Sequence, residues 1–147
     1  MNIIRTLLIG FLVMEAANVI MLYQFPGSKY ANAVGVFNAW EKSMRDPEIH
    51  NFVRYLVNWV AGAKLIFILL LIVILCTGDD RSLFFTSIAL VISIASFFWR
   101  LFPLIRGMDR RGEIHPKNYS AFLGWMICAL IVIFSVGVFV SVWVSIL

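Results

Sequence analysis

The stretch that decides the fold is residues 46–76, DPEIHNFVRYLVNWVAGAKLIFILLLIVILC. Asp46 is a favourable helix N-cap, and Pro47 is well tolerated in the first helical turn. The second half of the stretch is apolar on every side except at Lys64. As a helix it would measure about 45 Å, which exceeds the roughly 30 Å hydrocarbon core of a bilayer. The stretch therefore predicts a transmembrane helix whose first turns lie among the lipid headgroups.

Lys64 falls well inside the hydrocarbon core in such a helix. A charge at this depth costs about 2.5–3.5 kcal/mol on insertion scales, so the amine needs a partner. Glu15 is the acidic residue of the preceding apolar segment. We therefore expect an ion pair between Glu15 and Lys64.

The composition supports a membrane protein of one domain, residues 1–147. The chain is 62% hydrophobic and 14% charged, whereas soluble domains are about half apolar and a quarter charged. The formal net charge of +4 comes from basic residues that lie between the apolar segments. Anionic lipid headgroups of the bilayer are therefore the expected counter-charge, and a nucleic-acid partner is not expected.

Four apolar segments are long enough to cross a bilayer, at about residues 3–23, 52–76, 82–105 and 119–147. The first resembles a cleaved leader, but Glu15 stands where cleavage after Ala17 would need a small residue, so we interpret it as a span.

Residues 29–45 are too polar to span, yet their apolar side chains recur at helical spacing. This pattern predicts an interfacial amphipathic helix. The predicted fold is thus an all-α integral membrane protein, with four transmembrane helices in an antiparallel bundle and one interfacial helix between the first and second.

Small and polar side chains repeat along one face of the third predicted span. They follow one another at spacings of four and three: Ser82, Thr86, Ala89, Ser93, Ser96, Arg100 and Pro103. In a bilayer such faces pack against other helices, so we expect this one to point into the bundle. The two cysteines, Cys76 and Cys128, are expected to be free thiols, because they fit no disulfide framework.

The distribution of Lys and Arg predicts the orientation. Nine lie on the side of the first and third connections, namely Lys29, Lys42, Arg45, Arg54, Arg100, Arg106, Arg110, Arg111 and Lys117. The opposite side has Arg5 and Arg81. The positive-inside rule then places the basic connections in the cytoplasm and both termini outside.

Depth along the spans predicts an intramembrane polar site. Its candidate members lie at or near the level of Lys64, and they are Glu15, Asn18, Asn58, Lys64, Ser93 and Ser96. Ionisable residues inside a membrane often mark a path or a binding site. The alternative is a hydrogen-bonded network that only fixes helix register, and the sequence leaves both open.

A headgroup or anion site is predicted on the cytoplasmic side. Its candidates are Arg54, Arg100, Arg106, Arg110, Arg111 and Lys117. Arg binds phosphate bidentately, which favours this interpretation. Positive-inside orientation alone would also explain the cluster.

The sequence predicts neither a metal nor another cofactor, and it identifies no catalytic residue. His50 and His115 have no metal-ligand spacing, and no span contains a histidine that could hold haem. Motifs of nucleophile elbows, P-loops and paired-cysteine redox sites are absent from the sequence.

Three functions remain compatible with the sequence. The first is a homo-oligomeric membrane protein that binds or conducts an ion, a proton or a small or lipid-like solute. The second is an accessory or assembly subunit of a larger membrane complex, with the small-residue faces of the third and fourth spans covered by another chain. The third is a membrane enzyme acting on lipid headgroups, which would require His50, His115 and Arg100 to converge.

Overall fold

The computed structural model describes residues 2–30 and 33–146. Its α-helices are α1 (Asn2–Gln24), α2 (Asn38–Ser43), α3 (Pro47–Thr77), α4 (Asp80–Ala95), α5 (Phe97–Arg110) and α6 (Tyr119–Ile146). By length and composition, four stretches of the described chain could cross a membrane: Ile3–Gln24, Pro47–Thr77, Asp80–Arg110 and Tyr119–Trp143. The structure is therefore helical with four long apolar elements, and the third is built from α4 and α5 together.

Aspartate side chains cap the starts of α3 and α4. The Asp46 carboxylate accepts hydrogen bonds from the backbone N–H groups of Glu48 and Ile49, at 3.0 and 3.3 Å. Asp79 accepts from the Ser82 hydroxyl and backbone N–H, at 2.5 and 2.9 Å. These bonds from Ser82, the hydroxyl first, hold the pKa of Asp79 below its ordinary value. Both caps satisfy N–H groups that a helix start leaves unpaired.

The third long element is interrupted at Ser96, between α4 and α5. The Ser96 hydroxyl donates to the Ser93 carbonyl at 2.6 Å, and such back-bonding by serine bends helices. Pro103 lies inside α5 and has no N–H to donate to the preceding turn. α4 packs against α1 and α6, and α5 packs against α6.

One half of the molecule has the largest apolar core cluster. This core joins α1, α3, α4 and α6, and its buried members are Ile4, Leu8, Phe11, Leu71, Leu83, Leu90 and Phe134. Two smaller clusters lie in the other half. They are Val36, Ile105, Ile114 and Leu123 in one and Leu22, Val57 and Ala61 in the other.

The chain between α1 and α3 differs from the amphipathic helix predicted over residues 29–45. Among the described residues there, only Val34–Val36 form a 3-10 turn and only α2 is α-helical. The backbone N–H of Asn38 donates to the backbone carbonyl of Glu113 at 2.9 Å. The backbone N–H of His115 donates to the backbone carbonyl of Val36 at 2.8 Å. Partners distant in sequence thus satisfy backbone groups that a helix would have paired locally.

The small-residue face of the third span does not point into this chain, contrary to the prediction. Ser82, Ala89, Ser93, Ser96, Arg100 and Pro103 are exposed, and Thr86 is half-buried. The buried side of α4 has Leu83, Ser87 and Leu90 instead. The two leucines fill space in the apolar core, and the Ser87 hydroxyl is satisfied locally by the Leu83 carbonyl at 3.0 Å. The face of α4 that packs inward is therefore the one whose side chains are large enough to fill the core, not the one with the most polar side chains.

Candidate functional site

Lys64, Glu15 and Asn18 meet between α1 and α3. Lys64 Nζ donates to Glu15 Oε2 and to Asn18 Oδ1, both at 2.7 Å. Glu15 and Asn18 are three residues apart, so they share one face of α1. The ion pair expected from the depths of the two charged residues is present.

The pair is partly buried. The side chain of Glu15 is 18% exposed and that of Lys64 is 32% exposed. Removing two charges from water costs free energy that their attraction only partly returns. The pair joins α1 to α3 and leaves a site of zero net charge.

Three other members of the predicted polar site lie elsewhere. Asn58 lies six residues before Lys64 on α3 and therefore faces another side. It lines a separate cavity with Tyr23 and Arg54. Ser93 and Ser96 are exposed at the end of α4. Of the six residues predicted for the polar site, Glu15, Asn18 and Lys64 are the three that the structure brings together.

An apolar cavity of about 460 Å³ adjoins the pair. We call it the slot. Its lining residues are Asn18, Leu22, Val34, Phe37, Val53, Leu56, Val57, Val60, Lys64, Phe97, Leu101, Ile105, Tyr119, Leu123 and Ile127. Only three of these carry a polar side chain, and Lys64 is the one charged residue that lines the slot among those described.

The slot runs along the helices rather than across them. Val53 and Lys64 lie eleven residues apart on α3, which corresponds to about 16 Å along the helix. Lys64 and Asn18 form one end, and Val34 and Phe37 from the first connection cover the other. Sequence reasoning missed this cavity, because apolar residues spaced by three and four are equally typical of a filled core.

Four of the six predicted anion-binding residues come together. Arg106, Arg110, Arg111 and Lys117 line a cavity of about 610 Å³ at the junction of α5 and α6. Arg54 lines the separate cavity that contains Asn58, and Arg100 is exposed on α5. Those two residues do not belong to the cluster.

Two acidic residues, Glu113 and Asp109, reduce the positive charge in and around this basic cavity. Arg111 donates to both carboxylate oxygens of Glu113, at 2.6 and 3.2 Å, and this bonding lowers the pKa of Glu113. Asp109 accepts from the Asn118 backbone at 3.2 Å, and from the Ser120 backbone and hydroxyl at 2.9 and 2.6 Å. Asp109 therefore caps the start of α6 from the end of α5.

The two histidines are separate. His50 packs on the Trp40 ring with centroids 4.9 Å apart, and its Nδ1 lies 3.0 Å from the Ser43 hydroxyl oxygen. That hydroxyl donates to the Trp40 carbonyl, so His50 Nδ1–H is the donor to Ser43. His115 lines a different cavity with Lys29, Lys42 and Arg45.

The convergence of His50, His115 and Arg100 that the enzyme hypothesis required is not observed. Within residues 2–30 and 33–146, no three His, Cys, Asp or Glu side chains group as metal ligands would.

Comparisons of the chain with protein families, with curated proteins and with solved structures found no match.

Proposed function

We propose that this is a multi-pass membrane protein that binds a lipid-like molecule in the slot. Its four spans would form an antiparallel bundle, with both termini outside and the basic connections in the cytoplasm. The observation that carries the proposal is the slot itself, an apolar cavity that ends at Lys64 and Asn18. Its volume of about 460 Å³ is in the range of small-molecule sites, which are mostly apolar with a few polar groups.

The surroundings of the pair favour binding over conduction. Beyond Lys64 on α3, Ile68 and Leu71 are buried, and Leu71 packs in the largest apolar core cluster with Leu8 and Phe134. A conducted ion or proton needs polar groups or water across the whole hydrocarbon thickness. Among the described residues of one chain, the buried α3 side chains beyond Lys64 and most of the slot walls are apolar, so neither offers a continuous polar path.

The basic cavity supports a second element of the proposal. Arg106, Arg110 and Lys117 lie near the end of the slot that Val34 and Phe37 cover, since α5 and α6 meet there. We propose that they contact anionic headgroups at the cytoplasmic surface. Such contacts contribute about 1 kcal/mol for each basic residue near the membrane surface.

Two tryptophan substitutions on α5 test occupancy of the slot. Leu101 lines the slot and is 50% exposed, whereas Leu104 is 58% exposed and does not line it. The protein in lipid nanodiscs is photolabelled with a medium-chain alkyl methyl ester that bears a diazirine, and the labelled residues are mapped by mass spectrometry.

We expect labels at slot residues in the unchanged chain, a loss of most of that labelling in Leu101→Trp, and little change in Leu104→Trp. The indole of the first variant would occupy part of the slot and obstruct the label. Equal labelling in both variants, or labels spread evenly over the lipid-facing surface, would contradict the proposal.

A second candidate is the accessory or assembly subunit of a larger membrane complex. The outward exposure of Ser82, Ala89, Ser93 and Ser96 favours it, since small-residue faces allow close approach of another helix. A photocrosslinking amino acid at Ser93 should then capture a different protein in native membranes. Crosslinks to lipid alone would eliminate this candidate.

A further inference from the structure

We infer that the slot takes an uncharged amphiphile whose carbonyl or hydroxyl oxygen accepts a hydrogen bond from Lys64. Fatty-acid-like anions are disfavoured. This inference rests on the proposed function, because it names the chemical class of the ligand in the same slot.

The amine of Lys64 can donate more hydrogen bonds than the observed contacts use. An ammonium group has three N–H donors. Two are directed at Glu15 Oε2 and Asn18 Oδ1, at 2.7 Å each. No described residue accepts from the third in the observed hydrogen bonds, and Lys64 lines the slot with about a third of its side chain exposed. An acceptor supplied by a ligand would satisfy this donor.

The net charge at the site also determines which ligand fits. Glu15 already neutralises Lys64, and no other charged side chain lines the slot among the described residues. A carboxylate or phosphate ligand would therefore bring an uncompensated charge into an apolar cavity, which is strongly unfavourable. A neutral oxygen brings none, and a hydrogen bond to a charged donor is among the stronger ones.

The experiment compares four competitors of equal chain length against the photolabel. They are a methyl ester, a primary alcohol, the plain hydrocarbon and the ionised carboxylate. Each is added at the same mole fraction in zwitterionic nanodiscs, so that differences in partitioning cancel. We expect the ester and the alcohol to compete about tenfold better than the hydrocarbon and the carboxylate, as one hydrogen bond to a charged group predicts.

The double variant Glu15→Gln/Lys64→Met removes the donor without stranding a charge. We expect it to keep hydrocarbon binding and to lose the preference for ester over hydrocarbon. Lys42→Met, which removes a lysine that lies outside the slot, should retain that preference. The competitor series on the unchanged chain decides the inference even if the double variant folds poorly.

The outcomes separate the two proposals. Strongest competition by the carboxylate, or equal competition by ester and hydrocarbon, would overturn the inference and leave the slot as a lipid site. Failure of every competitor to displace the label from slot residues would overturn the proposed function itself.

Discussion

Lys64 and Glu15 are 49 residues apart in sequence and form one hydrogen bond of 2.7 Å. They meet because α1 and α3 pack side by side, which brings the two residues to the same level along the helices. Asn18 accepts a second bond from the amine. At this scale the chemistry is that of a polar group of zero net charge beside an apolar cavity.

Substitution of Lys64 tests the interdependence of the pair. Lys64→Met should strand the Glu15 carboxylate and destabilise the protein by about 1–3 kcal/mol, less than for a fully buried pair because both groups are partly exposed. Glu15→Gln/Lys64→Met should recover most of the loss. The measurements are the monodisperse fraction after extraction and the thermal midpoint in detergent. A double variant no more stable than Lys64→Met would refute the interdependence.

Asp109 allows a test at the start of α6. Asp109→Ala removes the acceptor of three hydrogen bonds from Asn118 and Ser120, so it should cost about 0.5–2 kcal/mol. Asp80→Ala, at an exposed position in the first turn of α4, should cost only a few tenths of a kcal/mol as its matched control. Thermal unfolding followed by circular dichroism distinguishes them, and equal effects would show that Asp109 is not a cap.

Helix packing in this protein depends on the volume of the side chains at each contact and on glycines that let helices approach closely. A side chain at Gly124 would meet the Phe102 ring at 2.8 Å, and one at Gly137 would meet Leu7, so these two glycines of α6 lie in close contact with other helices. The stripe on α4 does not, because Leu83 and Leu90 occupy the inward positions. The first connection is the least regular element, and its turn covers one end of the slot.

A substitution at Gly35 tests how tightly the 3-10 turn at the end of the slot is packed. A Cβ there would clash with the backbone of Gly27 and Ser28, so Gly35→Ala should displace the 3-10 turn and destabilise the protein by at least about 1–3 kcal/mol. Gly10→Ala, which meets nothing within 4 Å, is the control and should be neutral or slightly stabilising on α1. We would measure thermal midpoints and slot photolabelling. Unchanged labelling in Gly35→Ala would show that the turn does not shape the slot.

The whole molecule is asymmetric along the helices. One half contains the largest apolar core cluster, while the other contains the slot and the two basic cavities lined by His115 and by Lys117. If the basic end faces the cytoplasm, the slot lies in the cytoplasmic half of the bilayer. A ligand would then enter from the inner leaflet.

Cysteine accessibility tests this orientation. In a chain whose exposed Cys76 and Cys128 are replaced by serine, Lys117→Cys should react with a membrane-impermeant maleimide only from the cytoplasmic face. Arg81→Cys should react only from the outside. The positive-inside rule is the physical basis. The reverse pattern would invert the topology without affecting the slot.

The four long apolar helices and the contact between Glu15 and Lys64 could both be predicted from the sequence. Both depend on local quantities, the length of an apolar run and the depth of a charge, which are read directly from residue spacing. Three features emerged from the folded chain alone: which face of α4 is buried, the mostly non-α-helical course of residues 29–45, and the slot beside Lys64. Those features depend on how side-chain volumes and backbone hydrogen bonds from distant segments fit together, and helical periodicity is the same for a packed face and for a cavity wall.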